Sequence, residues 1–192
     1  METKSNPPAA FLAGERVCLR PLRETDADGP YADWLNDAEA CRGNSHHIFP
    51  YTRAEALDYI RQSAARRDAL VLAVTLKADG RHIGNIALQH IHPVNRSAEF
   101  SILIGDRTAW GQGYGLEAAQ LVFTHAFSEL NLERVACGTY GENEAMQKLA
   151  ARLGMREEGR RRRAVFKGGR YQDVIEYGIL RDEFHDRSTD HI

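Results

Sequence analysis

The chain has 192 residues, a length that suits one domain and allows a sizeable hydrophobic core without disulfide bonds. Its formal net charge of −2 provides no excess of positive charge for phosphate, which argues against a general nucleic-acid-binding protein. The three cysteines, Cys18, Cys41 and Cys137, are widely spaced and form no CxxC pair, so we expect neither a disulfide framework nor a zinc site, and no other cluster predicts a metal.

The two ends of the chain are polar. Residues 1–14 are expected to form a loose leader and residues 185–192 a polar tail, so that one domain spans residues 15–184. The first ten residues lack the apolar core of a signal peptide, and the longest apolar stretch, Leu70 to Val74, is too short to span a bilayer. We therefore expect a cytoplasmic protein that does not contact a membrane.

The first half of the chain predicts two helices followed by three strands. The apolar pattern gives a strand over Arg16–Leu22 and a helix over Glu24–Asn36, and the composition of 41–51 indicates a loop. Thr52 and Glu55 form a capping-box pattern that begins a second helix, ending near Arg67. Short turns then separate three predicted strands, Leu70–Lys77, His82–Ile91 and Ser97–Ile104.

The second half alternates helices and strands. It predicts a helix over about 113–130, a strand over Leu132–Thr139, a helix from its N-cap Asn143 to Leu153 with Gly154 at C′, and strands over about 155–166 and 171–180. The resulting order is βααβββαβαββ. It predicts a single α+β (mixed α/β) domain whose mostly antiparallel, mixed sheet is flanked by about four helices.

A glycine-rich turn joins the strand that ends at Ile104 to the helix that follows. Gly111, Gly113 and Gly115 stand at alternate positions, where glycine lets the backbone approach a ligand closely. Free N–H groups and the dipole of the helix N-terminus suit a pyrophosphate. The turn follows the fourth strand, whereas a dinucleotide fingerprint would follow the first. It therefore predicts a phosphate-binding turn of another kind, with a ligand-free helix start as the alternative.

Several short motifs stand along the chain from the glycine-rich turn to the last strand. They are Trp110-Gly111-Gln112-Gly113-Tyr114-Gly115, Asn143, Leu153-Gly154-Met155, Glu158-Gly159 and Gly169-Arg170-Tyr171-Gln172-Asp173. Together they resemble the GNAT superfamily of N-acetyltransferases and, within it, the RimJ/RimL-like branch. The resemblance covers roughly residues 14–184 and implies a GNAT-like fold. It also implies acetyl-CoA as co-substrate and direct transfer of its acetyl group to a primary amine.

The same resemblance implies a set of cofactor-binding residues. The pantetheine arm is expected to lie along a strand edge, the backbone of the glycine turn to hold the pyrophosphate, and one arginine to add charge near the phosphates. Asn143 either contacts the arm as well as capping its helix, or only caps the helix. The implied residues are Ile102, Leu103, Ile104, Arg107, Gln112, Gly113, Tyr114, Gly115 and Asn143.

The reaction requires a base, because an alkyl amine with an ordinary pKa of about 10 is protonated at neutral pH. Glu99 is the candidate, since the family often places a glutamate at the start of this strand. A surface acid paired with Arg96 is the other interpretation. His90 and His92, at the end of the neighbouring strand, are the alternative bases.

A proton donor for the departing thiolate is less evident. Relatives commonly use a serine or a tyrosine of the helix after Asn143, but Met146 and Ala150 stand at those positions. Neither can donate a proton. Tyr140, at the end of the preceding strand, is the candidate substitute.

The acceptor is expected to bind near the first two helices and the loop between them. A small molecule such as an amino sugar is the first hypothesis. A protein N-terminus, which would need an open groove, is the second, and a non-catalytic acyl-CoA-binding module is the alternative of another class. A homodimer formed through a strand edge is compatible with the sequence. The candidate acceptor residues are Tyr31, Trp34, His46, His47 and His90, of which Tyr31 and Trp34 are equally explained as core residues.

Overall fold

One eight-stranded sheet with helices on both faces organises the protein, as seen in a computed structural model that describes residues 10–185. Short 3-10 turns cover Glu24–Asp28, Arg107–Ala109 and Arg181–Glu183. The elements are β1 (Leu12–Ala13), β2 (Val17–Pro21), α1 (Tyr31–Asn36), α2 (Arg53–Ala65), β3 (Leu70–Leu76), β4 (His82–His92), β5 (Ser97–Ile104), α3 (Tyr114–Ser128), β6 (Arg134–Tyr140), α4 (Glu144–Arg152), β7 (Arg156–Lys167) and β8 (Arg170–Leu180).

The strand order is β1-β2-β3-β4-β5-β6-β8-β7. Every neighbouring pair is antiparallel except β5 and β6, which are parallel. A parallel pair needs a crossover, and α3 supplies it between these two strands. The predicted fold, a mixed and mostly antiparallel sheet with four helices, is confirmed.

Two hydrophobic clusters lie on opposite faces of the sheet. The larger one contains α3, where Phe123 meets Phe100 of β5 edge-to-face with ring centroids 5.0 Å apart. The smaller one joins α1 and α2 to Leu103 of β5. Because successive side chains of a strand point to opposite faces, Phe100 and Leu103 mark the two sides.

The predicted helix ends are confirmed at two helices. Thr52 and Glu55 form the capping box of α2, with Thr52 Oγ1 accepting from the Glu55 N–H at 3.2 Å. Asn143 caps α4, and Gly154, with φ of +83°, follows its end.

The predicted helix over Glu24–Asn36 is wrong as a continuous element. A 3-10 turn covers Glu24–Asp28, and α1 begins only at Tyr31. Gly29 is extended (φ −92°, ψ −162°) between them. The cause is Pro30, because a residue that precedes proline is driven out of the helical region.

The ordered domain begins earlier than expected. Leu12 and Ala13, inside the predicted leader, form β1 and pair antiparallel with Leu19 and Cys18. Phe11 packs edge-to-face on His125 of α3, with ring centroids 5.0 Å apart. The rest of the predicted leader, residues 1–9, and the tail from residue 186 lie outside the described residues. Between residues 10 and 185, no helix combines the length and apolarity needed to cross a membrane.

Candidate active site

The strands β5 and β6 separate after a short parallel contact. They pair only where Ser97–Glu99 face Arg134–Ala136. Beyond Glu99, β5 stays paired with β4, and a cavity of about 560 Å³ opens on its other side. The predicted strand edge, Ile102, Leu103 and Ile104, lines this cavity.

Four structural elements form the cavity walls. One wall is β5, the second is the end of β6 with α4, the third is the glycine-rich turn, and the fourth is the 39–44 segment that follows α1. Apart from β5, the lining residues include Glu39, Ala40, Arg42, Gly43, Asn44, Trp110, Gly111, Gly113, Tyr114, Gly115, Gly138, Thr139, Asn143, Met146, Lys148, Leu149 and Arg152.

The glycine-rich turn has the backbone that its sequence predicts. Gly111 and Gly113 have φ of +72° and +83°, in the left-handed region that favours glycine. Gly113 is the N-cap of α3 and offers no side chain to the first-turn N–H groups. A Cβ on Gly115 would lie 3.6 and 3.7 Å from the side chains of Ile104 and Ile102, so this glycine forms part of the cavity wall.

Two residues predicted beside the phosphates lie outside the lining. The Gln112 side chain donates to the Thr108 carbonyl at 2.6 Å. Arg107 stacks over Trp110 at 5.8 Å and lies 3.6 Å from a carboxylate oxygen of Asp37. Both side chains are therefore engaged with the loop before α3 or with Asp37, and contact between the Gln112 backbone N–H and the pyrophosphate stays a prediction.

A different cation, Arg16, lies beside the glycine-rich turn. Its Nη1 donates to the Gln112 carbonyl at 2.9 Å, and its Nη2 would be 3.3 Å from a Cβ on Gly113. A salt bridge of 3.0 Å to Glu117 and the ring of Tyr114 hold the guanidinium there. Sequence reasoning missed Arg16 because about a hundred residues separate it from these partners.

Asn143 performs two tasks on the cavity wall. Its Oδ1 accepts from the Met146 N–H at 3.1 Å, which confirms the predicted cap. Its Nδ2 donates to the Gly43 carbonyl at 3.0 Å and fastens the 39–44 segment to α4. A Cβ on Gly43 would meet this amide at 2.5 Å, so the contact requires glycine. Contact between Asn143 and pantetheine stays a prediction.

Glu99 lies at the point where β5 and β6 separate, and it lines the cavity. Its side chain is 57% exposed, and its Oε2 lies 3.1 Å from Nδ1 of His90. The alternative pairing with Arg96 is wrong, because that guanidinium bonds to the Asn131 carbonyl at 2.8 Å and approaches Glu133. The structure thus joins two of the predicted residues, Glu99 and His90.

The predicted substitute acid is not brought into the cavity. Tyr140 lies at the end of β6, outside the lining, and burial raises the pKa of its phenol. Met146 does line the cavity and presents a thioether there.

The remaining predicted acceptor residues also lie elsewhere. Tyr31 and Trp34 are 5% and 6% exposed and belong to the smaller core cluster, which supports their interpretation as packing residues. A Cβ on Gly105 would strike the Trp34 ring at 2.2 Å, so this ring fills the space over the loop after β5. His46 and His47 are exposed and outside the lining, and the His46 carbonyl accepts from Lys167.

A family model described as "Acetyltransferase (GNAT) domain" matches residues 16–156. A relative from Bacillus subtilis, named "Putative ribosomal N-acetyltransferase YdaF", is 34% identical over 181 residues, covering 88% of this chain and 94% of the relative. A spermidine N(1)-acetyltransferase from Vibrio cholerae is 30% identical over 139 residues, covering 72% of this chain and 80% of the relative.

A solved structure has the same fold. The crystal structure of a spermidine N-acetyltransferase from Vibrio cholerae in complex with CoA and spermine superimposes with a TM-score of 0.78 at 24% identity. The match covers 87% of this chain and 96% of that chain. The architecture is therefore shared over nearly the whole domain.

Proposed function

The chain belongs to the GNAT acetyltransferase family, and from that premise we propose that it acetylates the free α-amine of a polypeptide N-terminus. It is an N-acetyltransferase, and its acyl donor is acetyl-CoA. The observation that carries the choice of acceptor is the position of Glu99, which lines the cavity while more than half of its side chain is open to solvent.

The cavity residues fit the donor. Acetyl-CoA supplies an acetyl group activated as a thioester. The unpaired edge of β5 and the apolar side chains of Ile102 and Met146 suit an extended arm. The N–H groups at the start of α3 and the left-handed Gly111 and Gly113 suit the pyrophosphate. We assign the cavity to acetyl-CoA on this basis.

The acceptor side of the cavity includes two exposed residues of the sheet, Glu99 and Gly138. Glu99, Gly138 and Glu176 lie on one face of β5, β6 and β8, because Glu99 pairs with Ala136 and Gly138 pairs with Glu176. The helices α1 and α2 pack on this same face at Leu103, toward the other end of β5. Small-molecule pockets usually enclose most of their ligand, whereas this surface leaves room for a chain that continues away from its amine.

Glu99 has the chemistry that the acceptor needs. A protonated amine must lose a proton before its lone pair can attack, and an ionised carboxylate can take that proton. The Glu99 carboxylate lies at the end of the cavity opposite the glycine-rich turn, five residues along β5 from Ile104. We therefore assign the general base to Glu99.

The acceptor is tested with matched peptides and acetyl-CoA. One peptide carries a free α-amine, and the second has the same sequence with a blocked N-terminus and one internal lysine. We expect acetylation of the first peptide only, located by fragmentation mass spectrometry. Acetylation of the lysine alone, or of neither peptide while a small amine reacts, would contradict a polypeptide N-terminus as acceptor.

A small amine is the second candidate acceptor. Glu39 joins Glu99 in the cavity lining, and two carboxylates there would attract a polycation or an amino sugar. A salt bridge of 3.4 Å to Arg42 partly compensates Glu39, which weakens this attraction. Spermidine and an amino sugar, tested beside the peptides, separate the two candidates through their kcat/KM values.

The general base has its own test. We expect Glu99→Gln to lower kcat about 100-fold, the usual size of a general-base contribution, and to leave acetyl-CoA affinity unchanged. The glutamine keeps the shape of the side chain and removes its basicity. Near-normal turnover at neutral pH would show that another group or water takes the proton.

A further inference from the structure

We infer that His90 is a positioning residue for Glu99, whose carboxylate it holds through one oxygen so that the other is free for the acceptor amine. The inference rests on the proposed role of Glu99 as general base. It starts from the direct contact of 3.1 Å between His90 Nδ1 and Glu99 Oε2. It also rests on an irregularity of β4 that places the imidazole there.

The irregularity is a β-bulge between Gln89 and His92. Gln89 pairs with Glu99 and His92 with Ser97, so three steps along β4 match two steps along β5. His90 has φ of +51°, a left-handed conformation uncommon for residues other than glycine. In a regular strand, the residue after Gln89 would point away from the Glu99 side. The bulge instead directs His90 toward Glu99, a known use of bulges near active sites.

The neighbouring acid, Asp68, is already paired. It precedes β3 and lies close enough for the charge of His90 to act on it. Arg66 donates to both of its carboxylate oxygens at 2.8 Å, and these hydrogen bonds lower the pKa of Asp68 to about 2. Glu99 is therefore the acid that His90 contacts directly.

The neighbouring polar side chains are engaged elsewhere. Gln89, which shares the face of Glu99, donates to Ser101 Oγ at 3.2 Å. His92 accepts from the Asn95 N–H through Nδ1 at 3.0 Å, so its imidazole belongs to the turn after β4. Of the two histidines at this strand end, only His90 is directed at the carboxylate.

The contact determines which nitrogen of the His90 imidazole carries a hydrogen. An ionised carboxylate can only accept hydrogen bonds, so Nδ1 must carry the hydrogen. Both side chains are largely exposed, at 68% for His90 and 57% for Glu99, and a free glutamate there would sample several rotamers. The contact restricts Glu99 to the rotamer at the edge of the cavity.

The test uses two variants that suit the left-handed backbone. His90→Asn keeps a donor at the position of Nδ1, and His90→Gly removes the side chain without strain. With the peptide carrying a free α-amine, or spermidine if that reacts faster, we expect His90→Gly to lower kcat/KM about fivefold, as for one exposed charged contact. We expect His90→Asn to restore most of it, with acetyl-CoA affinity unchanged in both.

The double variant tests whether His90 acts through Glu99. In the Glu99→Gln background, His90→Gly should cause no further loss, because the base is already absent. An equal loss in both backgrounds, or no loss in either, would overturn the inference.

A spectroscopic test needs no acceptor. We expect histidine ring ¹³C and ¹⁵N signals to show neutral His90 as the Nδ1–H tautomer, and Glu99→Ala to return it toward the Nε2–H form that free imidazole favours. An Nε2–H tautomer in the unmodified protein would also overturn the inference. If Glu99→Gln keeps full activity while the tautomer is Nδ1–H, the general base is wrong and the His90 contact exists without the inferred role.

Discussion

The assignment of the cavity to acetyl-CoA can be tested by placing a negative charge at Gly115. This glycine lies in the first turn of α3 and lines the cavity. A Cβ there meets only ordinary van der Waals contacts, 3.6 Å from Ile104 and 3.7 Å from Ile102. An aspartate in the first turn of a helix is favourable for folding, by about 0.3–1 kcal/mol. Gly115→Asp should therefore fold at least as well as the unmodified protein.

The same carboxylate should oppose the ligand. At about 5 Å and an effective dielectric constant of about 40, each pair of like charges costs about 1.7 kcal/mol. A pyrophosphate carries two charges, so the penalty is about 3 kcal/mol, or more than 100-fold in Kd. The effects on folding and on binding have opposite signs, which separates this variant from a simple loss of structure.

Calorimetric titration with acetyl-CoA and a urea unfolding curve measure the two effects. Gly115→Ala is the matched control, because it adds the Cβ without the charge and should bind within about threefold of the unmodified protein. Unchanged affinity in Gly115→Asp, with the fold intact, would refute the placement of the pyrophosphate at α3. Equal losses of acetyl-CoA affinity in Gly115→Asp and Gly115→Ala would show that the added side-chain volume, and not the charge, weakens binding.

Two further variants test other contacts. Gly43→Ala would place a Cβ 2.5 Å from the Asn143 amide, so it should break the hydrogen bond from Asn143 to the Gly43 carbonyl. We expect KM for acetyl-CoA to rise severalfold. An unchanged KM would show that the 39–44 segment closes the cavity without this bond. Burial raises the pKa of Asp26, but hydrogen bonds from Arg20 and the Arg23 N–H outweigh it and hold this pKa below its ordinary value. The resulting stabilisation is complete above about pH 5 and is lost as pH falls below that. Asp26→Asn should cost about 3 kcal/mol at neutral pH and flatten the acid side of a plot of unfolding free energy against pH, whereas an unchanged acid side would exclude Asp26 as its cause.

Much of the fold was predictable because its signals are local. The capping box of Thr52, the cap of Asn143 and the left-handed Gly111 and Gly113 each depend on a few neighbouring residues. Alternating apolar residues likewise set β5, whose bounds match the prediction. Tertiary packing did not need to be known for any of these features.

The site residues that the sequence misplaced or missed depend on contacts between distant parts of the chain. Whether Trp34 faces a pocket or the core depends on Gly105, 71 positions away, which makes room for its ring. The use of Asn143 to fasten the 39–44 segment depends on Gly43, and the role of Arg16 depends on Gly113. The helical spacing around Trp34 is the same whether its ring faces a pocket or the core, so the sequence pattern could not separate a pocket residue from a packing residue.

The position of Glu99 is determined by backbone pairing. The last parallel pair with Ala136 and the antiparallel pair with Gln89 hold its Cα on both sides. The 39–44 segment also lines the cavity, and it is tied to the start of α4 by the hydrogen bond from Asn143 to the Gly43 carbonyl. This segment forms none of the backbone pairs that hold Glu99, so changes in it can alter the cavity without displacing the Cα of the proposed base. The backbone of the proposed base is thus fixed by the sheet, whereas the acceptor differs among relatives, which are named for ribosomal and for spermidine acetylation.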